Sequence, residues 1–177
     1  MGLAIVPGSF DPVTWGHVDI IRRAARLFDR VIALVMVNDQ KQALFTPEER
    51  LYMLRESVRG IQRVEADFYG GMTYDYIARH GVDAIVKGLR DGADFAYECQ
   101  IAQFNRQHAP QADTLFLLAD PQRQALSSSW VKRAYVAGEE IRDAVPPVVL
   151  AMLAKELPIK KTKESEDRGM EHGRKCN

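Results

Sequence analysis

Two rhythms of apolar positions alternate along the chain. Leu3–Val6 is a short aliphatic run and Arg30–Val37 a longer one, continuous as a strand buried on both faces requires. Between them, Gly16–Phe28 carries Val18, Ile20, Ile21, Ala24, Ala25 and Phe28 on a helical pattern. Thr46-Pro47-Glu48-Glu49 is a strong helix start, with Thr46 as cap, proline in the first turn and Glu49 closing a capping box. That pattern predicts a helix to about Val58. Val64–Tyr69 reads as a third strand, ended by Gly70-Gly71 and followed by a helical segment to Arg79. Asp83–Val86 is a fourth strand. Phe95–Gln107 reads as an amphipathic helix with Phe95, Cys99, Ile101, Ala102 and Phe104 on its apolar side. Thr114–Ala119 is a fifth strand, Ser127–Ala137 a helix stopped by Gly138, and Pro146 opens a last helix ending near Leu157.

Such alternation predicts an α/β fold: a doubly wound parallel five-stranded sheet with helices on both faces. At 177 residues the chain is expected to form one domain, over residues 1–158. Residues 159–177 are rich in Lys, Glu and Arg, nearly free of large apolar side chains, and expected to be a disordered tail.

Charge narrows the function classes. Lysine plus arginine equal aspartate plus glutamate at 24 each, so no global field draws the chain to nucleic acid or to an anionic membrane. A local cationic pocket remains compatible with that balance. The longest apolar stretches, Val31 to Val37 and Val145 to Ala154, fall short of the roughly 18 residues a membrane span needs. Leu3-Ala4-Ile5-Val6 is too short for a secretory signal and has no basic leader. The two cysteines, Cys99 and Cys176, have no metal-type spacing and fit a reducing compartment. A soluble cytoplasmic protein is expected, with Cys99 a small buried residue.

Ligands of open parallel sheets bind beyond the carboxyl ends of the strands. The residues expected there are Ser9, Thr14 and His17, then Asn38 to Lys41, Gly70 to Thr73, Lys87 to Arg90, and Asp120 to Ser129. One histidine, two lysines, an arginine and a serine cluster would share one rim, a constellation suited to phosphate. His17 lies near a helix N-terminus, which disfavours an imidazolium; a neutral ring donating to a phosphate oxygen suits that place. Gly88, between Lys87 and Arg90, would let a phosphate approach the backbone. Ser127-Ser128-Ser129 reads as a helix cap whose backbone N–H groups could also meet phosphate. Neither G-x-x-x-x-G-K-[ST] nor G-x-G-x-x-G occurs, nor G-x-S-x-G, nor H-E-x-x-H. Those absences set aside P-loop and dinucleotide-fingerprint proteins, elbow hydrolases and the zincins.

Taken together, the motifs resemble a known family. Gly8-Ser9-Phe10-Asp11-Pro12 followed by Thr14-Trp15-Gly16-His17 is similar to the T/H-x-G-H signature of the nucleotidyltransferase superfamily. Lys87-Gly88-Leu89-Arg90, Asp94-Phe95-Ala96-Tyr97-Glu98, Asn105-Arg106, Ser127-Ser128-Ser129 with Val131-Lys132, and Val145-Pro146-Pro147 resemble the bacterial phosphopantetheine adenylyltransferases. The resemblance spans roughly residues 3–157. It implies a Rossmann-like fold, Mg²⁺ as cofactor, a homohexamer, and adenylyl transfer from ATP to 4′-phosphopantetheine giving dephospho-CoA, with CoA as a feedback ligand.

By the same resemblance His17, Lys41 and Arg90 are catalytic. The implied ATP site comprises Ser9, Phe10, His17, Gly88, Leu89, Arg90, Glu98 and the run Arg123, Gln124, Ala125, Leu126, Ser127, Ser128 and Ser129. Ser9, Lys41, Thr73 and Lys87 are implied for the acceptor. The chain departs from the pattern where Ser9 and Lys87 replace threonine and arginine, where Ala96 replaces glutamate, and where Arg123-Gln124-Ala125-Leu126 replaces an aromatic-Ser-Phe-Ile/Val stretch. Two other readings compete. One is a nucleotidyltransferase of the same superfamily with another small acceptor, such as nicotinamide mononucleotide or glycerol phosphate. The other is a non-catalytic nucleotide- or CoA-binding regulator, against which the presence of His17, Lys41 and Arg90 together argues. Class I tRNA synthetases share the fold logic but need far more chain.

Overall fold

A computed structural model describes residues 2–37 and 42–157. Lys41 and the expected tail, residues 159–177, lie outside the described residues. The elements alternate as expected: β1 (Leu3–Gly8), α1 (Trp15–Leu27), β2 (Arg30–Met36), α2 (Pro47–Val58), β3 (Val64–Tyr69), α3 (Thr73–His80), β4 (Ala84–Leu89), α4 (Gly92–His108), β5 (Asp113–Leu118), α5 (Ser128–Val136) and α6 (Pro147–Glu156). The five strands form one sheet in the order β3-β2-β1-β4-β5. Every pairing is parallel.

Why the aliphatic runs are continuous follows from the layers. Ala4 and Val6 of β1, Val31, Ala33 and Val35 of β2, and Ala84 and Val86 of β4 face one core, shared with α1, α2, α5 and α6. The residues between them, Ile5, Ile32, Leu34 and Ile85, face a second core with Tyr76 and Ile77 of α3. Alternate side chains therefore enter opposite cores, and neither face of these strands can be polar. The capping box of α2 forms as read: Glu49 N–H donates to Thr46 Oγ1 at 3.2 Å, and Thr46 N–H to Glu49 Oε2 at 3.0 Å.

Two strands run further than the sequence reading placed them. β1 continues through Pro7 to Gly8, in register with Val35 of β2, and β4 continues through Lys87 and Gly88 to Leu89, opposite Leu118 of β5. Pairing on the neighbouring strand overrides the local break that Pro-Gly and Lys-Gly suggest. Lys87, Gly88 and Leu89 thus belong to the strand rather than to the loop after it. Gly88 also has a packing role. A Cβ there would lie 2.8 Å from Ile20 Cγ1, so the glycine lets α1 lie close on β4.

Helix α4 departs most from expectation. Its one fully buried residue is Asn105, while Phe95 is 50% and Tyr97 60% exposed. Phe104 is likewise exposed and Cys99 only partly buried. Phe95 reaches Phe116 of the edge strand β5, edge to face at 5.7 Å, yet Leu118 beside it is 73% exposed. The apolar residues read for α4 do not form one buried side: Cys99, Ile101 and Ala102 are partly buried, while Phe95 and Phe104 are left largely uncovered among the described residues.

Gly88→Ala should destabilise the fold by about 1–3 kcal/mol, the usual cost of forcing extra volume into a packed contact. Urea unfolding checks this: the midpoint falls while the slope stays as in the parent chain.

Candidate active site

With strand order 3-2-1-4-5, the chain reverses direction across the sheet between β1 and β4, which is where a crevice opens beyond the strand ends. A cavity of about 340 Å³ lies there, walled by Val6, Pro7 and Gly8 of β1 and by Val86, Lys87 and Gly88 of β4.

The loop from Ser9 to Thr14 forms the adjoining wall, and buried polar bonds fix it. Asp11 is only 6% exposed. Its carboxylate accepts from Leu44 N–H at 3.0 Å and Phe45 N–H at 2.9 Å, and from Lys132 Nζ of α5 at 2.7 Å. Burial works to raise its pKa, but the Lys132 and backbone hydrogen bonds outweigh burial and hold it below the ordinary carboxylate value. Ser128 Oγ donates to Pro12 O at 2.7 Å, and the buried Arg50 donates to Ser9 O at 3.1 Å. Trp15 N–H donates to Ala144 O at 3.0 Å, anchoring the start of α1. Within this frame Phe10 holds a left-handed φ of 46°, a strained place for an aromatic residue, and is 1% exposed. Its ring meets His17 edge-on at a centroid distance of 5.1 Å.

His17 closes the N-terminal capping box of α1, a position usually held by Glu or Gln. Thr14 N–H donates to His17 Nδ1 at 3.0 Å, and His17 N–H donates to Thr14 Oγ1 at 3.4 Å. An acceptor at Nδ1 places the ring proton on Nε2, so the hydrogen-bond pattern assigns a neutral donor to the cavity. Desolvation, then the nearby charges of Arg90 and Lys87, push the His17 pKa down to about 4. The ring lines the cavity and keeps partial exposure, so it is a pocket group rather than a sealed one.

Among the described residues, the cations that the sequence placed here, Lys87, Arg90 and Arg123, each have a partner. Lys87 Nζ lies 3.0 Å from Glu98 Oε1 and 3.4 Å from Pro7 O. Arg90 is bidentate on Asp94, with Nε at 2.7 Å and Nη2 at 2.8 Å. Arg123 donates to Trp15 O at 3.4 Å and lies 3.7 Å from Asp19. Glu98 Oε2 is buried without a hydrogen-bond partner among the described residues. Ser127 caps α5, accepting Trp130 N–H at 3.1 Å.

Ser9, Phe10, His17, Lys87, Gly88, Arg90, Glu98, Arg123, Leu126, Ser127 and Ser128 therefore line one cavity, as the strand-end argument required. Leu89 has its side chain in the core, 5% exposed. Gln124 donates to the Arg90 carbonyl from outside, while Ala125 and Ser129 are exposed and stand off the cavity. Thr73, the first residue of α3, lies beyond the carboxyl end of β3 and outside the lining. Asp94 and Ile20 are lining residues that the sequence reading did not single out. For Asp94 a signal existed, since it stands four residues after Arg90 and four before Glu98.

Comparison with known proteins fits this geometry. The cytidylyltransferase-like family model matches residues 5–134. A phosphopantetheine adenylyltransferase of Caldanaerobacter subterraneus subsp. tengcongensis is 43% identical over 153 residues, 86% of this chain and 96% of its own. Another, of Corynebacterium diphtheriae, is 44% identical over 158 residues, 89% of this chain and 99% of its own. A third, of Syntrophomonas wolfei, is 41% identical over 157 residues, 89% of this chain and 98% of its own. Similarity at that level, over 86–89% of the chain, places the chain in the phosphopantetheine adenylyltransferase family.

Proposed function

We propose that this chain transfers the adenylyl group of ATP to 4′-phosphopantetheine, releasing pyrophosphate and leaving dephospho-CoA. The observation that carries the chemistry is His17, held by Thr14 as a neutral Nε2–H donor in a cavity that also contains Lys87, Arg90 and Arg123. The relatives, phosphopantetheine adenylyltransferases, supply the acceptor.

The acceptor phosphate is already a nucleophile, so no general base is needed. The two carboxylates lining the cavity, Asp94 and Glu98, are engaged with Arg90 and Lys87 and are not poised as bases. In-line attack forms a bond from the acceptor oxygen to the α-phosphorus as the bond to pyrophosphate breaks, with no covalent enzyme intermediate. Negative charge is stabilised at the α-phosphoryl oxygens, where a neutral imidazole donates a hydrogen bond without losing its proton. Arg90 and the α5 N-terminus, with Ser127 and Ser128, face the triphosphate in this reading. Lys87 faces the acceptor phosphate, joined by Ser9, Lys41 and Thr73. Glu98, which lines the cavity, belongs to the ATP side in this reading.

Among the described residues no group of three or more His, Cys, Asp or Glu side chains could hold a metal. These residues do not build a magnesium cage. In this reading Mg²⁺ arrives on the ATP phosphates, and no step above runs through it. The uncovered apolar flank of α4 and β5 supports self-association, for which a homohexamer is the proposed form. CoA, which shares the pantetheine arm, is proposed as a feedback ligand. No helix among the described residues is long and apolar enough to cross a membrane, and a cytoplasmic location is proposed.

Mixing the chain with ATP, Mg²⁺ and 4′-phosphopantetheine should release pyrophosphate, with nicotinamide mononucleotide unable to replace the acceptor; the reverse acceptor preference would move the assignment to another nucleotidyltransferase. His17→Ala should fold normally and lose on the order of 10²–10³ in kcat, the usual worth of one such donor.

Because the folded His17 pKa is near 4 and the ordinary value 6.5, the unfolded state takes up a proton in that window while the folded state does not. The stability His17 contributes is thus full above pH 6.5 and is lost as pH falls through 4. An NMR titration of the imidazole should find the Nε2–H tautomer at neutral pH and a midpoint well below 6.5. A midpoint at 6.5 or above would contradict the neutral-donor role.

A further inference from the structure

Arg90 is constrained from three directions. Its Nε and Nη2 both donate to the Asp94 carboxylate, and its backbone N–H donates to Asp94 Oδ2 at 3.3 Å. Its carbonyl accepts from Gln124 Nε2, in the segment where this chain carries Arg123-Gln124-Ala125-Leu126. Asp94 is itself fixed, since its N–H donates to Oδ1 of Asp91, the cap of α4, at 2.8 Å. One turn further along α4, Glu98 makes the corresponding contact to Lys87. Isolated exposed ion pairs contribute little, but a bidentate Arg–carboxylate pair anchored on a helix cap fixes orientation as well as charge.

A guanidinium has five N–H donors. Asp94 takes one hydrogen each from Nε and Nη2, which leaves the two on Nη1 and the second on Nη2 along the outer edge of the fork. We propose that Asp94 is a positioning residue, holding Arg90 by its Nε–Nη2 edge so that the Nη1 edge meets the polyphosphate. The role deepens the adenylyl-transfer reading and takes its ligand from it. Without Asp94 the side chain of Arg90 would sample several rotamers, and part of its contact with the departing pyrophosphate would be spent on ordering it.

The test uses the full chain. Asp94→Asn, nearly isosteric, should lower kcat about tenfold with little change in melting temperature. In an Arg90→Ala background the same substitution should change kcat less than twofold, the non-additivity expected of residues that act as one unit. A second readout does not depend on turnover. The Arg90 Nε–H should give a slowly exchanging signal in the ¹⁵N-labelled chain, lost in Asp94→Asn and unmoved when inorganic pyrophosphate is added. An unchanged kcat in Asp94→Asn, an equal loss with Arg90 already removed, or collapse of the Nε–H signal on adding pyrophosphate would each overturn the proposal. An inactive parent chain would sink the adenylyl-transfer reading instead, while the Nε–H signal would still decide whether Asp94 keeps its edge of Arg90.

Discussion

Asp11 is a carboxylate removed almost wholly from water, and its charge is compensated by three donors from two distant parts of the chain. The ammonium of Lys132 reaches it from α5, while Leu44 and Phe45 donate from the lead-in to α2. A buried charge with fewer partners would be a liability, because desolvation alone penalises it heavily. Here the compensation defines the shape of the loop that carries Ser9, Phe10 and Thr14. Thr14 in turn sets the tautomer of His17, so the N–H that faces the cavity traces back to a carboxylate that does not line it.

The same economy holds for the cations. Lys87 and Arg90 stand at the end of β4, and α4 brings a carboxylate to each. Lining the cavity are three cations, Lys87, Arg90 and Arg123, and two carboxylates, Asp94 and Glu98. A polyanion therefore meets donors that are already oriented, and the small excess of positive charge avoids the repulsion that three unpaired cations would impose on one another. Catalysis by fixed dipoles and hydrogen bonds depends on such preorganisation more than on total charge.

Much of this was legible in the sequence because the sheet is buried on both faces and its strands are unmistakable aliphatic runs. Once the strands are placed, the strand-end rule gathers Ser9, His17, Lys87, Arg90 and Ser127 without further information. Strand ends were harder. Pro7-Gly8 and Lys87-Gly88 look like breaks locally, and only pairing with β2 and β5 shows that they are not. Pairwise roles were hidden for a similar reason. Gly88 serves Ile20, which lies far away in sequence, and Gln124 serves the carbonyl of Arg90. Spacing does betray contacts within a helical turn, as at Arg90 and Asp94, but not those across the sheet. For α4 the helix was read correctly but its apolar side was not: Phe95 and Phe104 stay largely exposed, touching only Phe116 of β5 and Tyr74 of α3 among the described aromatic rings outside the helix.

The contacts that hold the loop after β1 bear on the order in which the protein is made. Ser128 reaches Pro12 across 116 positions and Lys132 reaches Asp11 across 121. Loop closure over such spans is entropically expensive, and it cannot begin until the distant partner exists. A chain emerging from the ribosome would hold its first strands and helices well before Lys132 is synthesised. This wall of the cavity is thus among the last parts of the fold to be completed, and a chain cut short before α5 would carry Asp11 without the ammonium that compensates it.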